Sequence, residues 1–592
     1  MKQFCISLLL VIIYGCDSPL TSKKDSFVTR YEKSNGKETP SYQEVIDFYK
    51  ELSQSYTTVA LQTMGLTDSG YPLHIVTYNP DGDFNFNNIR KDKRIILINN
   101  GIHPGEPDGI DATMLLIRNL AQKQLEAPKN TVIVAIPVYN IGGALNRNST
   151  TRVNQDGPQE YGFRGNARNY DLNRDFIKSD TKNAQSFAEI FHLVQPDVLI
   201  DNHVSNGADY QYVLTHLFTQ HNKLGGELGE YLHTKMVPDL EKSLAAKTMS
   251  KEHDSLPDRN WIITPYVNVW NKPPDHGFSQ FMDYPRYSVG YSALWNVLGI
   301  TVETHMLKPY KERVEGTYEL MKSMIDLVDK DAETISQTRK KNEEYFAQLS
   351  QYPVDWELDT TRFSTFEFKG YKADTITSEV TGLPRLKYDR NQPFSKEIVY
   401  QNYFKPTKMV NVPKGYIIPQ GWHKIIELLQ KNKITMNQVD QDKKIWAEYY
   451  RIETFQTRTT PFEGHYQHYN TTVTKHQDSI SVRKGDYLID IQQPGLRYLL
   501  EVLEPEAPDS FFNWNFFDTI LQQKEGFSAY VFEDIAKEIL DNNPQLKSEF
   551  EAKRAENESF SENWYQQLDW IYKNSPHYEK AHMRYPIFRL ME

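Results

Sequence analysis

His103 and Glu106, three residues apart, flank Pro104 and Gly105 just beyond the apolar run Ile95-Ile96-Leu97-Ile98. That run reads as a buried parallel strand, and Asn99-Asn100-Gly101 breaks it. A helical pattern follows over residues 109–123. The pair therefore sits in a turn at the carboxyl end of a strand, where open α/β sheets place their sites. Pro104 and Gly105 force a tight bend that can aim both side chains at one point. One imidazole nitrogen and one carboxylate suit zinc, and a third protein ligand would leave the fourth position to water.

The chain offers candidates for the missing partners. Residues 197–201 (DVLID) read as a third short strand, and His203 lies just past its end, repeating the order strand, polar break, histidine. Residues 299–305 (GITVETH) form another strand, with Glu303 near its end and His305 two positions on, on the same side. Between the buried strand at 131–138 and the helix at 182–194 runs a long polar loop rich in arginine and asparagine. Such a loop inside a compact domain is functional or disordered, and its return to a clean helix indicates order. It contains Asp171-Leu172-Asn173-Arg174.

His-Pro-Gly-Glu at 103–106, Asp-Leu-Asn-Arg at 171–174, Asp201-Asn202-His203 and Thr301-Val302-Glu303 occur in an order and spacing that resemble the zinc carboxypeptidase family, the carboxypeptidase A-like metallopeptidases of peptidase family M14. The resemblance covers about residues 40–345 and implies a role for each motif. His103, Glu106 and His203 would hold one zinc ion per chain, and Glu303 would be the general base. Asn173 and Arg174 would bind the terminal carboxylate of the substrate, for which the planar arginine fork is suited. An arginine upstream of that pair would stabilise the oxyanion. Arg152 fits by position, with Arg147, Arg164 and Arg168 as alternatives. The substrate-capping tyrosine is assigned to Tyr287, with Tyr284 and Tyr291 competing. The implied activity is a metallocarboxypeptidase that removes single residues from peptides with a free C-terminus. A murein-peptide or N-acyl amino acid hydrolase would use the same zinc chemistry, and a non-catalytic envelope binding lipoprotein is the reading from another class.

Composition narrows the rest. The 592 residues exceed one ordinary core. Hydrophobic residues make up 39% and charged ones 24%, with 37 Tyr and 29 Phe, which favours packed cores over disorder. A net charge of −11 without a basic patch argues against a nucleic-acid partner. Both cysteines lie in the first sixteen residues. Met1-Lys2, an apolar stretch over 4–13 and Ile13-Tyr14-Gly15-Cys16 resemble a bacterial lipoprotein signal, which implies a lipid anchor at Cys16 and a place in the bacterial cell envelope, periplasmic or at the outer membrane. Residues 17–41 read as a polar tether.

The expected architecture is an α/β catalytic domain over 42–349, a mixed twisted sheet with helices on both faces. Its strands include an antiparallel pair at 59–64 and 72–78, and further strands at 210–215 and 262–270. One long helix over 314–349 should close it. From Tyr352-Pro353 onward, short alternating stretches predict a β-rich accessory region over 350–592 with a helical tail.

Overall fold

The computed structural model describes residues 27–249 and 260–591. The signal and lipid-anchor motif, with Cys16, lies outside the described residues. A mixed eight-stranded sheet forms the centre. Its strands are β1 (Val59–Leu66), β2 (Pro72–Tyr78), β3 (Arg94–Asn99), β4 (Thr131–Ile136), β5 (Val198–Ser205), β6 (Leu214–Phe218), β7 (Ile263–Pro265) and β9 (Leu298–His305), in the order β1-β2-β4-β3-β5-β9-β6-β7. The short β8 (Phe278–Ser279) pairs elsewhere, parallel to the strand Pro384–Gln401.

Every residue of β4 and β5, and all of β3 after Arg94, is buried. A strand buried at successive positions is covered on both faces, and helices supply the cover. Asp108–Ala121 and Tyr310–Lys330 pack on each other and on the central strands, while Lys182–Val194 packs on β1 and β2. β4, β3, β5 and β9 are mutually parallel, so their carboxyl ends share one edge. In the β5–β9 register His203 stands opposite Glu303. Among the described residues, no helix is long and apolar enough to cross a membrane.

Several sequence expectations need correction. The part of the expected tether that is described, residues 27–41, is folded onto the sheet domain. Thr29 and Glu32 form a capping box, Tyr31 is buried edge-on to Tyr310, and Thr39 donates to Asp111 at 2.6 Å. The helix expected over 314–349 is two, Tyr310–Lys330 and Ala332–Ala347. They break at Asp331, whose carboxylate accepts from Tyr231 at 3.0 Å and Lys235 at 2.6 Å. The strand expected at 210–215 is displaced to β6, because Tyr210 and Tyr212 pack into a second cluster with Phe278, Phe368 and Tyr400. Only Ile263–Pro265 of the expected strand over 262–270 is extended in the sheet.

Beyond residue 350 come long hairpins, Ser364–Thr377 with Pro384–Gln401 and Lys443–Thr457 with His468–Val482, followed by helices from Ala529 onward. Secondary structure changes at Gln351, but the core does not stop there. Tyr352, Tyr416, Leu496 and Trp514 belong to the same buried cluster as Ile98, Ile200 and Val302. Burial of such side chains is worth about 1.5–3 kcal/mol each. A chain ending at Ser350 should therefore expose much of this cluster and be recovered as aggregate. Recovery of a soluble monomer that unfolds cooperatively on calorimetry would contradict the shared core.

Candidate active and metal site

The turn after β3 depends on two glycines. Gly101 adopts φ +64, a conformation that L side chains rarely take. Gly105 carries no Cβ where one would lie 2.7 Å from Cδ of Arg152, so the arginine can cross the turn closely. The Glu106 N–H closes the turn onto the His103 carbonyl at 2.8 Å, and the helix Asp108–Ala121 starts immediately after. His103, Glu106 and His203 are each only 3% exposed.

Among the described residues, these three form the one cluster able to hold a metal ion, with donor atoms all within 4.8 Å of one another. Each imidazole turns its Nε2 to a carboxylate at 2.9 Å, His103 to Asp171 and His203 to Asp201. A ring nitrogen donating to a carboxylate carries the proton, which leaves Nδ1 as the lone-pair donor. Both Nδ1 atoms face Oε2 of Glu106, at 3.3 Å and 3.2 Å. Two imidazole nitrogens and one carboxylate oxygen, each oriented from behind, are a donor set that fits zinc. Asp201 is itself held by Asn99 at 3.1 Å and Ser288 at 2.5 Å.

The charges around the cluster are asymmetric. Burial alone would raise the Glu106 carboxyl, but Arg152, His103 and His203 hold it well below the usual range. Burial opposes charge on His203, yet Asp201 and Glu106 raise it well above the ordinary imidazole value. Glu303 goes the other way. Burial, with Glu106 adding to it against the opposing His203, Arg164 and Arg152, pushes it up to about 7. Its Oε2 is buried with no hydrogen-bond partner among the described residues.

A cavity of about 610 Å³ opens over this cluster, and all eight residues singled out from the sequence line it: His103, Glu106, His203, Glu303, Arg152, Asn173, Arg174 and Tyr287. Arg152 donates to Glu106 at 2.7 Å, to the Val204 carbonyl at 3.2 Å and to Gln155. Arg164 also lines the cavity, 2.9 Å from Asp171 and 3.5 Å from Glu106. Arg147 and Arg168 are committed elsewhere, to the carbonyls of Pro40 and Asp180. Of the competing tyrosines, Tyr284 bonds Asp355 and Tyr291 bonds Asn432, whereas Tyr287 lies under the Arg174 guanidinium, 4.6 Å from its ring centre. His305 bonds the Ala208 carbonyl at 2.8 Å and does not line the cavity.

Asn173 and Arg174 sit on a single 3-10 turn capped by Asp171, which accepts from the Asn173 N–H at 2.9 Å. This turn is gripped from the far end of the chain. Glu463, in the loop between the strands Lys443–Thr457 and His468–Val482, accepts from the Asp171 N–H at 2.8 Å across 292 residues. His465 bonds Asp180 at 2.6 Å, and Gly464 packs where a Cβ would lie 2.5 Å from the Tyr170 hydroxyl. Sequence reasoning missed Glu463 and His465, for which no local signal exists. It also missed Tyr266, which lines the cavity with its hydroxyl pKa raised by burial, Glu303 and Glu106. Tyr266 was hidden in an apolar run that reads as strand.

Comparison with known proteins follows the same lines. Carboxypeptidase 2 from Trichophyton rubrum is 22% identical over 511 residues, covering 81% of this chain and 84% of the relative. The protein of that name from Trichophyton equinum is 22% identical over 446 residues, covering 70% and 72%. A metallo-carboxypeptidase structure from Burkholderia cenocepacia aligns over 50% of this chain and 70% of its own, at 15% identity and a TM-score of 0.36. Carboxypeptidase A from Helicoverpa armigera aligns over 50% and 74%, at 14% identity and a TM-score of 0.36. The sequence model of the zinc carboxypeptidase family, Peptidase_M14, matches residues 45–196, which include His103, Glu106, Arg152, Asn173 and Arg174. Over residues 45–196, then, this chain is similar to the zinc carboxypeptidase family.

Proposed function

We propose that the protein is a zinc-dependent metallocarboxypeptidase that hydrolyses the last peptide bond of chains with a free C-terminus. The observation that carries this reading is convergence in one cavity. A three-donor metal cluster, a buried carboxylate oxygen without a partner and an arginine-asparagine pair line the same space.

His103, Glu106 and His203 would hold the zinc ion, which when bound lowers the pKa of water to roughly 7 and polarises a carbonyl. Asp171 and Asp201 keep the Nε2 protons in place and so keep the Nδ1 lone pairs directed at one point. Glu303 takes the proton from the attacking water at its unpartnered Oε2 and delivers it to the leaving amine nitrogen. Burial, with Glu106 adding to it, raises the Glu303 carboxyl, which strengthens it as a proton acceptor. Arg152, anchored beside Glu106, places a fixed positive charge where the oxyanion develops. Arg174 and Asn173 bind the terminal carboxylate, and Tyr287 under the guanidinium holds Arg174 in position.

Two outcomes follow. Glu303→Gln preserves shape but removes the proton acceptor. It should bind one zinc per chain as the wild type does, with kcat lower by roughly 10²- to 10⁴-fold. Wild-type turnover by this variant would remove Glu303 from the mechanism. Arg174→Ala should lower kcat/KM roughly 10- to 100-fold on peptides with a free carboxylate, the value of one charge-assisted contact, and leave slow cleavage of C-terminally amidated peptides unchanged. Equal losses on both substrates would refute carboxylate recognition.

A further inference from the structure

The 3-10 turn that carries Asn173 and Arg174 is three residues long. So short a turn has too few internal hydrogen bonds to fix its own tilt, and its first fixed point outside itself is the bond from the Asp171 N–H to Glu463. Phe462, Glu463, Gly464 and His465 form a tight hairpin turn. The Phe462 N–H donates to the His465 carbonyl at 2.8 Å, and the His465 N–H returns to the Phe462 carbonyl at 3.1 Å. Both central residues have positive φ, +47 at Glu463 and +81 at Gly464, the pattern of a type I′ turn. Glycine, asparagine and aspartate favour such positions, and glutamate takes one at a conformational cost.

The side chain adds a second cost. Glu463 is half-buried beside another carboxylate, and burial with the Asp171 charge raises its carboxyl against the Asp171 N–H, Lys178 and Arg174. A loop that only packed would carry asparagine or glycine here. What glutamate supplies is reach, because its Oε2 arrives 2.8 Å from the Asp171 nitrogen. The same loop also backs the opposite side of Arg174. The Phe462 ring lies under the Arg286 guanidinium at 5.8 Å, and Arg286 precedes Tyr287, whose ring lies under Arg174. The Ser288 N–H closes the two sides together on the Asn173 side chain at 3.3 Å. Glu463 itself does not line the cavity, so its influence on a substrate runs through the turn.

Resting on the carboxypeptidase reading above, we propose that Glu463 is a positioning residue for substrate binding: by holding the Asp171 N–H it sets where Arg174 meets the terminal carboxylate. The test uses the full-length, zinc-loaded protein and an N-acylated dipeptide with a free carboxylate. Glu463→Asn suits the type I′ turn, so the loop keeps its fold, but the side chain is one methylene shorter and loses the Asp171 N–H. It should raise KM roughly tenfold, with kcat within about threefold, and with zinc content and Tm no lower than in the wild type. Glu463→Gln keeps an acceptor oxygen at full reach and should hold KM within about threefold of wild type. Added to Arg174→Ala, Glu463→Asn should cost less than about threefold further, because residues that act through one contact are not additive. An unchanged KM in Glu463→Asn, a loss confined to kcat or zinc content, or the same tenfold cost in the Arg174→Ala background would overturn the assignment and leave the carboxypeptidase reading intact. Zinc-loaded wild type that does not cleave the dipeptide would overturn both.

Discussion

The site is built around one buried carboxylate. Glu106 accepts from the Val204 N–H at 3.0 Å, faces Nδ1 of both histidines, and meets Arg152 at 2.7 Å and Arg164 at 3.5 Å. A buried anion is tolerable only when charge and hydrogen bonds compensate it, and removing one partner of such a pair costs about 3–5 kcal/mol. The neighbours are therefore fixed in number and direction. β3 and its turn place His103, β5 places His203 and Val204, the loop places Arg152, and each must arrive at the same carboxylate. A divalent cation at the Nδ1–Oε2 junction fits this electrostatic requirement, because the carboxylates behind each imidazole, Asp171 and Asp201, add further negative charge.

The region beyond residue 350 takes part in this geometry. Its buried residues belong to the central core, and its Glu463 loop holds the turn that carries Asp171, Asn173 and Arg174. Asp171 is shared between two tasks. It accepts from His103 Nε2 and caps the turn that presents Arg174. Burial opposes its charge, but His103, Arg164 and Arg174 hold its pKa far below the ordinary carboxyl value. On the proposed function, metal orientation and substrate-carboxylate recognition would meet in one side chain, with the accessory loop steadying both.

Much of this was legible from residue order because the informative contacts are local or set by strand register. Four apolar residues followed by a break announced β3, whereas His203, expected just past the end of its strand, lies inside β5, which runs on to Ser205. Burial on both faces leaves strands no freedom to alternate, so β3 and β4 appear as near-continuous apolar runs, while β5 is apolar only over Val198, Leu199 and Ile200 before its buried polar residues begin. What stayed hidden depends on distant partners. Nothing near Asp331 says that Tyr231 and Lys235 meet its carboxylate at the point where the helix breaks. Nothing near Tyr284 or Tyr291 says that Asp355 and Asn432, both beyond the apparent boundary, bind their hydroxyls and leave Tyr287 in the cavity. The folded stretch before Tyr42 was the opposite case. Thr29 and Glu32 are spaced as a capping box with Tyr31 between them, a local signal outweighed by polar composition.

The proposed role of the His103–Glu106–His203 cluster is to hold a zinc ion that would support hydrolysis of C-terminal peptide bonds. Its most direct test is mass spectrometry of a mixed peptide pool after incubation with the purified protein, with a chelator, and with chelator followed by zinc. The account predicts a loss of single C-terminal residues that the chelator abolishes and zinc restores. Cleavage that persists after complete metal removal, or an intact pool in the presence of zinc-loaded protein, would contradict it.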